Sequence, residues 1–291
     1  MIITNKHQLP QPLVDATRHA IHEEYDGFDS DYTSSSIESP PYERLVNKRN
    51  WDIITRDVLD MLWIVYGQAV HVILEWAAKG EKKSYTTEKR VYYHTNNLVI
   101  SGKFDVYYPD KMLLQDYKNT KAWSVVKPKQ EWIWQINYMA LMMKLSGLKV
   151  KKAEIAGLLR DWNKFDAMRG KGYPKLPVTM VGITLRPKKT VHERMMAKIA
   201  EHERVKNFPL SAIEPCTAIE TWDKPARWLV TKKGNKRASK SFSAAIGAEE
   251  YAEKYPGATI AHHPACRPRC QDYCFGASEC PAYKQFKEGV R

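Results

Sequence analysis

The sequence has few cysteines, a shortage of acid and no evident long apolar run. It has five cysteines in 291 residues, too few for a disulfide-rich secreted scaffold. No apolar core follows Lys6, so a signal peptide is not expected and the cytoplasm of a bacterial or phage-infected cell is the expected compartment. No uncharged run reaches the roughly 20 residues needed to span a bilayer, so a membrane partner is not expected. Internal repeats and low-complexity tracts are absent, which excludes solenoids and disordered arrays. Acid is short relative to base: 33 Asp plus Glu against 46 Lys plus Arg, a formal net charge of +13. Such an excess suits a polyanionic partner without proving one.

What is present begins with a hairpin. Two apolar stretches, Leu98 to Tyr108 and Met112 to Leu114, flank Pro109-Asp110-Lys111, which is turn chemistry. A turn centred between Asp110 and Lys111 sets Asp105 opposite Asp116. Two carboxylates facing each other across a strand pair repel, and a divalent cation held by oxygen ligands relieves the repulsion. Strand period two then places Lys118 on the same face as Asp116.

Two helices are expected to flank the hairpin. Trp51 to Ala78 has apolar residues at helical spacing, and Gly67, His71 and Glu75 recur every four residues on one face. The glycine is expected to admit a close neighbour. Glu75 is either an outer support of the site or a solvated helix residue. Gln130 to Lys144 reads as the second helix, with Gln135 and Tyr138 projecting from one side. Trp132 and Trp134 on this helix are either core residues or stacking surfaces for bases.

Taken in order, G-x-x-x-H-x-x-x-E at Gly67 to Glu75, G-x-x-D at Gly102 to Asp105, D-x-K at Asp116 to Lys118 and Gln135-Ile136-Asn137-Tyr138 resemble the PD-(D/E)XK superfamily. More narrowly they are similar to its RecB-like branch, which includes CRISPR-associated nucleases, the AddB nuclease domain and many bacteriophage exonucleases. The resemblance runs from about Ser34 to Cys280. It departs in spacing, since Tyr138 stands three residues from Gln135 where four is usual. It implies an α/β, restriction-endonuclease-like core with a mixed central sheet flanked by helices, and a metal-dependent deoxyribonuclease, an exonuclease in recombination and DNA processing. Asp105, Asp116 and His71 would hold Mg2+ or Mn2+, with imidazole favouring Mn2+. Lys118 would orient or help deprotonate the attacking water, and Gln135 and Tyr138 would position the nucleotide. The implied partner is DNA, single-stranded or with free ends, with a homo-oligomer or a recombination protein as further candidates.

Four of the cysteines cluster as Cys266, Cys270, Cys274 and Cys280. Close thiols in a reducing compartment indicate a metal or a cluster. In the nucleases that the chain resembles, a distant cysteine and a C-terminal trio clamp a 4Fe-4S cluster. That pattern implies Cys216 with Cys270, Cys274 and Cys280, with Cys266 as a spare and Zn2+ as the alternative ligand.

The expected division is a nuclease core with a helical lead-in over 1–216, a small α+β insert over 217–263 and a cysteine-rich tail over 264–291, packed on the core. Within the insert, Trp228-Leu229-Val230 and Ala238 to Phe242 flank a basic tip, Lys232, Lys233, Lys236 and Arg237. The tip is either a DNA contact or a solvated loop. A helix is expected from Ala244 to Tyr255. Strands are also expected at Ala153 to Leu159 and Val178 to Leu185, and a charged helix at Thr190 to Val205.

Overall fold

A computed structural model describes residues 1–25, 30–79, 83–95 and 97–289. Two compact units emerge, Ile3–Ser39 with Asp57–Asn207, and Met1–Ile2 with Pro40–Arg56 and Phe208–Arg291.

The larger unit contains α1 (Gln11–Tyr25), β1 (Tyr32–Thr33), α2 (Val58–Ala78), β2 (Thr86–His94), β3 (Val99–Tyr108), β4 (Leu113–Thr120), α3 (Gln130–Leu145), β5 (Lys152–Leu159), β6 (Val178–Ile183) and α4 (Lys188–Val205). It is a mixed α/β arrangement in which helices flank a mixed sheet of order β1-β3-β4-β5-β6, with β2 also paired to β3. β3 and β4 form the expected hairpin. Its pairs are Val106 with Gln115, Tyr107 with Leu114 and Tyr108 with Leu113, and Met112 N–H closes the turn on Pro109 O at 3.1 Å. β4 and β5 run parallel, so the chain must cross over between them, and α3 lies on that crossover.

α3 is the centre of the core, with Trp134 and every residue from Ile136 to Met143 buried. Val191, Met195 and Ile199 of α4 pack into the same cluster. Gly102 gives α3 room there. A Cβ at that position would stand 2.5 Å from Met139 Cε and 2.7 Å from Met142 Cε, so a larger residue would push these flexible methionine ends aside.

α2 begins at Val58 rather than at Trp51, with the Asp57 side chain accepting from Leu59 N–H at 3.1 Å as its N-cap. Only Val58 and Met61 on this helix are buried, while Trp63, Tyr66, Ile73 and Trp76 are exposed. One expectation is corrected here: Gly67 has nothing within 4 Å of a Cβ, so no neighbour approaches it. By length and composition alone α2, with mean hydropathy 1.4 over 18 residues, passes for a membrane-crossing helix, and no other helix among the described residues does.

In the smaller unit a helix spans Pro41–Asn50. β7 (Arg227–Thr231), β8 (Lys240–Phe242), α5 (Ala245–Glu253) and β9 (Thr259–His263) follow. The strands form an antiparallel sheet of order β8-β7-β9, and Val230 and Ala248 are fully buried in this segment.

Candidate active site

Pairing between β3 and β4 stops at Val106 and Gln115. One step further along the register, Asp105 lies opposite Asp116, as the sequence led us to expect. Here a side chain replaces the backbone ladder, because Asp105 Oδ2 accepts from Tyr117 N–H at 2.6 Å. The strands part at this point, and a cavity of about 200 Å3 opens, lined by Lys103, Asp105, Gln115, Asp116 and Gln135 among others.

Lys118 lies 2.9 Å from Asp116 Oδ2 and donates to Gln135 Oε1 at 3.1 Å. Period two along β4 and the α3 face thus bring Asp116, Lys118 and Gln135 into one hydrogen-bonded group. His71 enters from α2, with Nδ1 3.7 Å from Asp105 Oδ1.

A further group was not anticipated. Glu88, on β2, lies 2.9 Å from His71 Nδ1, and its other oxygen is 2.8 Å from Lys103 Nζ. The backbone there has φ +52°, a left-handed conformation unusual for glutamate. Thr87 and Lys89 keep their pairs with Val106 and Phe104, so the departure is confined to Glu88. Strain held at a single polar residue beside a carboxylate group is typical of sites where function fixes geometry. Recognising that Thr86–His94 pairs with β3 would have revealed it.

The electrostatics follow from crowding. Burial, and then the charge of Asp116, push the Asp105 carboxyl up to about 7. At His71, burial opposes the charged form, but the Glu88 hydrogen bond and the charges of Asp105 and Glu88 outweigh it and its pKa is raised. Burial also opposes a charged Glu88, yet His71 and Lys103 hold its pKa below the usual range.

The ligand atoms of His71, Glu88 and Asp105 all lie within 4.8 Å of one another. Glu88 Oε2 and Asp116 Oδ2 are buried without a hydrogen bond, although an ammonium stands beside each. Hard oxygens with unused lone pairs, one imidazole and mutually repelling carboxylates are the donor set a divalent cation takes. The residues therefore fit a divalent cation.

Other expected residues lie elsewhere. Tyr138 is fully buried and donates its hydroxyl to Glu38, which Arg194 holds through two bonds at 2.8 and 3.0 Å; it does not reach the carboxylates. Trp134 is buried between Arg186 and Arg194, whose guanidinium carbons lie 4.6 and 4.3 Å from its ring centre, and Trp132 packs against the core. Glu75 pairs with Lys79 at 3.1 Å on the exposed side of α2, which is the solvated alternative.

In the smaller unit, Cys216, Cys270, Cys274 and Cys280 line one cavity of about 440 Å3 together with Tyr42 and Glu43, and Cys266 is not among its lining residues. Cys266 instead pairs its backbone with Lys224. Burial pushes the Cys216 thiol to about 12 and the Cys270 thiol to about 11, and it also raises that of Cys274. Asn47 Oδ1 accepts from Gly276 N–H at 2.7 Å, which fastens the cysteine loop to the Pro41–Asn50 helix. At the basic tip, the Lys232 ammonium sits 3.4 Å from the Tyr255 ring centre. Lys233, Lys236 and Arg237 are exposed.

No protein-family model matches the chain, and no curated protein matches it. Similar solved structures include the following two. The crystal structure of SSO0001 is 12% identical over 72% of this chain and 91% of that one, with a TM-score of 0.48. A phage related exonuclease from Haemophilus somnus 129PT is 14% identical over 67% of this chain and 80% of that one, with a TM-score of 0.28. Likeness at this level assigns no chemistry to the present chain.

Proposed function

We propose that this chain is a divalent-metal-dependent deoxyribonuclease of PD-(D/E)XK type and RecB-like character, an exonuclease of bacterial or phage recombination. The observation that carries the reading is the parting of β3 and β4, where Asp105 faces Asp116 and Lys118 joins Asp116 to Gln135. Binding alone does not require Asp105, Asp116 and Lys118 together.

The metal ligands are Asp105, Asp116 and His71, with Glu88 added to them. When bound, the cation supplies Lewis-acid stabilisation of charge developing on the scissile phosphate. Lys118, held between Asp116 and Gln135, would orient the attacking water and meet the phosphate's charge. Gln135 fixes the ammonium in place. Glu88 holds the His71 ring through Nδ1, the nitrogen that also faces Asp105. Lys103 balances Glu88.

The division of the chain into a nuclease core, an insert over 217–263 and a cysteine-rich tail belongs to the same proposal, as does a cytoplasmic setting. The four thiols around one cavity support a 4Fe-4S cluster on Cys216, Cys270, Cys274 and Cys280, with zinc as the alternative occupant. Its role is structural, because ligation would tie the tail to the distant Cys216.

The test is incubation of the pure chain with end-labelled single- and double-stranded DNA in Mg2+, Mn2+ or EDTA. Cleavage is expected with metal and not with EDTA. Asp116→Asn and Lys118→Ala are each expected to lose about 100-fold or more, and undiminished cleavage by both variants would sink the reading.

A further inference from the structure

The sheet β8-β7-β9 has two unlike faces. Val230 is fully buried on one, the side on which α5 packs. Strand period two assigns Lys240 and Phe242 to that side as well, through their pairing with Val230 and Trp228. Lys240 stacks there on Phe242 and Tyr251 at 5.1 and 5.0 Å. A Cβ on Gly247 of α5 would stand 3.2 Å from Phe242, so the helix is tightly seated.

The opposite face is open. Ser241, Leu229 and Ala261 stand in one rank across the three strands, with Thr231 and Thr259 to one side and Arg227 and His263 to the other. Leu229 and Thr231 are half-buried and the rest are exposed. Small side chains keep this face low, and its hydroxyls both donate and accept.

The charge on this segment is one-sided. From Lys224 to Ala248 there are seven Lys or Arg and no Asp or Glu. The acids that bound it are Asp223, which pairs with Arg267 at 3.2 Å, and Glu249, Glu250 and Glu253, which are exposed on α5, the element that covers the other face. Lys232 and Lys240 lie against aromatic rings on the α5 side, which leaves Arg227 on the open face and Lys233, Lys236 and Arg237 at the β7–β8 turn, cations suited to a polyanion. Strands about 4.8 Å apart put the outer two roughly 10 Å from each other, which fits a major groove about 12 Å wide.

We propose that the open face, centred on Ser241, Leu229 and Ala261 and flanked by Arg227 and His263, is a second nucleic-acid site that takes the major groove of duplex DNA. Lys236 and Arg237 at the β7–β8 turn contact the phosphates at the groove's edge. Thr231, Ser241 and Thr259 offer hydroxyls to base edges, and Leu229 and Ala261 offer apolar contact to thymine methyl groups. The site does not depend on the nuclease reading, since no residue in it touches the carboxylates.

The test measures binding of the full chain in EDTA to a fluorescent duplex and to a single strand of the same sequence. Ser241→Glu and Ala261→Glu are each expected to weaken duplex binding about tenfold or more, while Lys164→Glu, the charge control in the larger unit, changes it less than about twofold. Arg237→Ala should lower the salt slope by about one. Metal-dependent cleavage of a short single-stranded oligonucleotide should be unchanged in all of them if the chain is a nuclease, and circular dichroism reports folding in either case. Unchanged duplex binding in both sheet-face variants overturns the proposal. So does an equal loss on duplex and single strand, which would mean general electrostatic attraction. A chain that binds duplex through this face and never cleaves would overturn the nuclease reading alone.

Discussion

Asp105 does two things at once for Tyr117 and for the site: its Oδ2 takes the Tyr117 N–H at 2.6 Å where the ladder would otherwise continue, while Oδ1 faces His71. The carboxylate both ends the strand pairing and becomes the most proton-retentive acid in the site. Asp105→Asn keeps an oxygen for Tyr117 N–H and removes the charge. It is expected to lower cleavage by about 100-fold or more and to raise the melting temperature of metal-free protein at pH 8. Melting curves and a cleavage assay read both effects, and a variant that lost activity together with stability would mean that only folding had failed.

The pH dependence has a definite sign. Asp105 has its folded pKa raised to about 7 from 3.8, so the folded state binds the proton more tightly and stability is lost as pH rises from about 4 towards 7. His71 is raised too; its contribution is present below its unfolded value and is lost as pH climbs through the folded one. Glu88 is lowered, and its contribution is already complete above pH about 4.5. Metal-free protein should therefore melt at a lower temperature at pH 8 than at pH 5. Mg2+ or Mn2+ should restore more at pH 8, because protons compete for the ligands at pH 5. A metal-induced shift that is larger at pH 5 would count against Asp105 as a ligand.

The hairpin was legible because Pro109-Asp110-Lys111 is strong turn chemistry between apolar stretches, and that alone gave the meeting of Asp105 with Asp116. β2 was not, since Thr86–His94 holds Glu88, Lys89, Arg90 and two further polar threonines, and shows no apolar alternation; Glu88 was lost with it. β9 was missed for the same reason, as every residue of Thr259–His263 is exposed. Tyr138 shows a different limit. Helical spacing put it near the face of Gln135, but whether that face meets solvent or the core depends on α4 and on Glu38, distant in the chain. Periodicity on α2 found a helix and could not say that most of it would be uncovered.

Glu88→Gly separates strain from function. Glycine accepts φ near +52° without the roughly 1 kcal/mol or more that a side chain costs there, but it removes the partner of His71. Metal affinity, measured by Mn2+ titration, should fall about 10- to 100-fold, while the backbone loses its strain. Glu88→Gln should show the metal loss without the relief. Unchanged titrations in both would reduce Glu88 to a partner of Lys103.

The thiols are sorted by position. Anaerobically purified protein is expected to be brown, with about four iron and four sulfide per chain. Cys270→Ala, Cys274→Ala and Cys216→Ala should each remove the colour and lower the melting temperature, whereas Cys266→Ala, whose residue does not line the cavity, should do neither. One zinc and no colour would reject the cluster and keep the site.

Tyr138→Phe tests whether the helix-face reading or the packing decides a residue's role. The hydroxyl is donated to Glu38, whose carboxylate also takes both bonds from Arg194, and burial followed by that hydrogen bond raises the phenol's pKa. Removing the hydroxyl leaves the Arg194 pair in place and costs about 1–2 kcal/mol of stability, read as a lower melting temperature. Cleavage should keep its kcat and KM within about twofold, since the side chain is fully buried and no reacting group is within its reach. A tenfold or greater fall in kcat at unchanged stability would place the hydroxyl at the nucleotide after all, and would require the Glu38–Tyr138 contact to open when DNA binds.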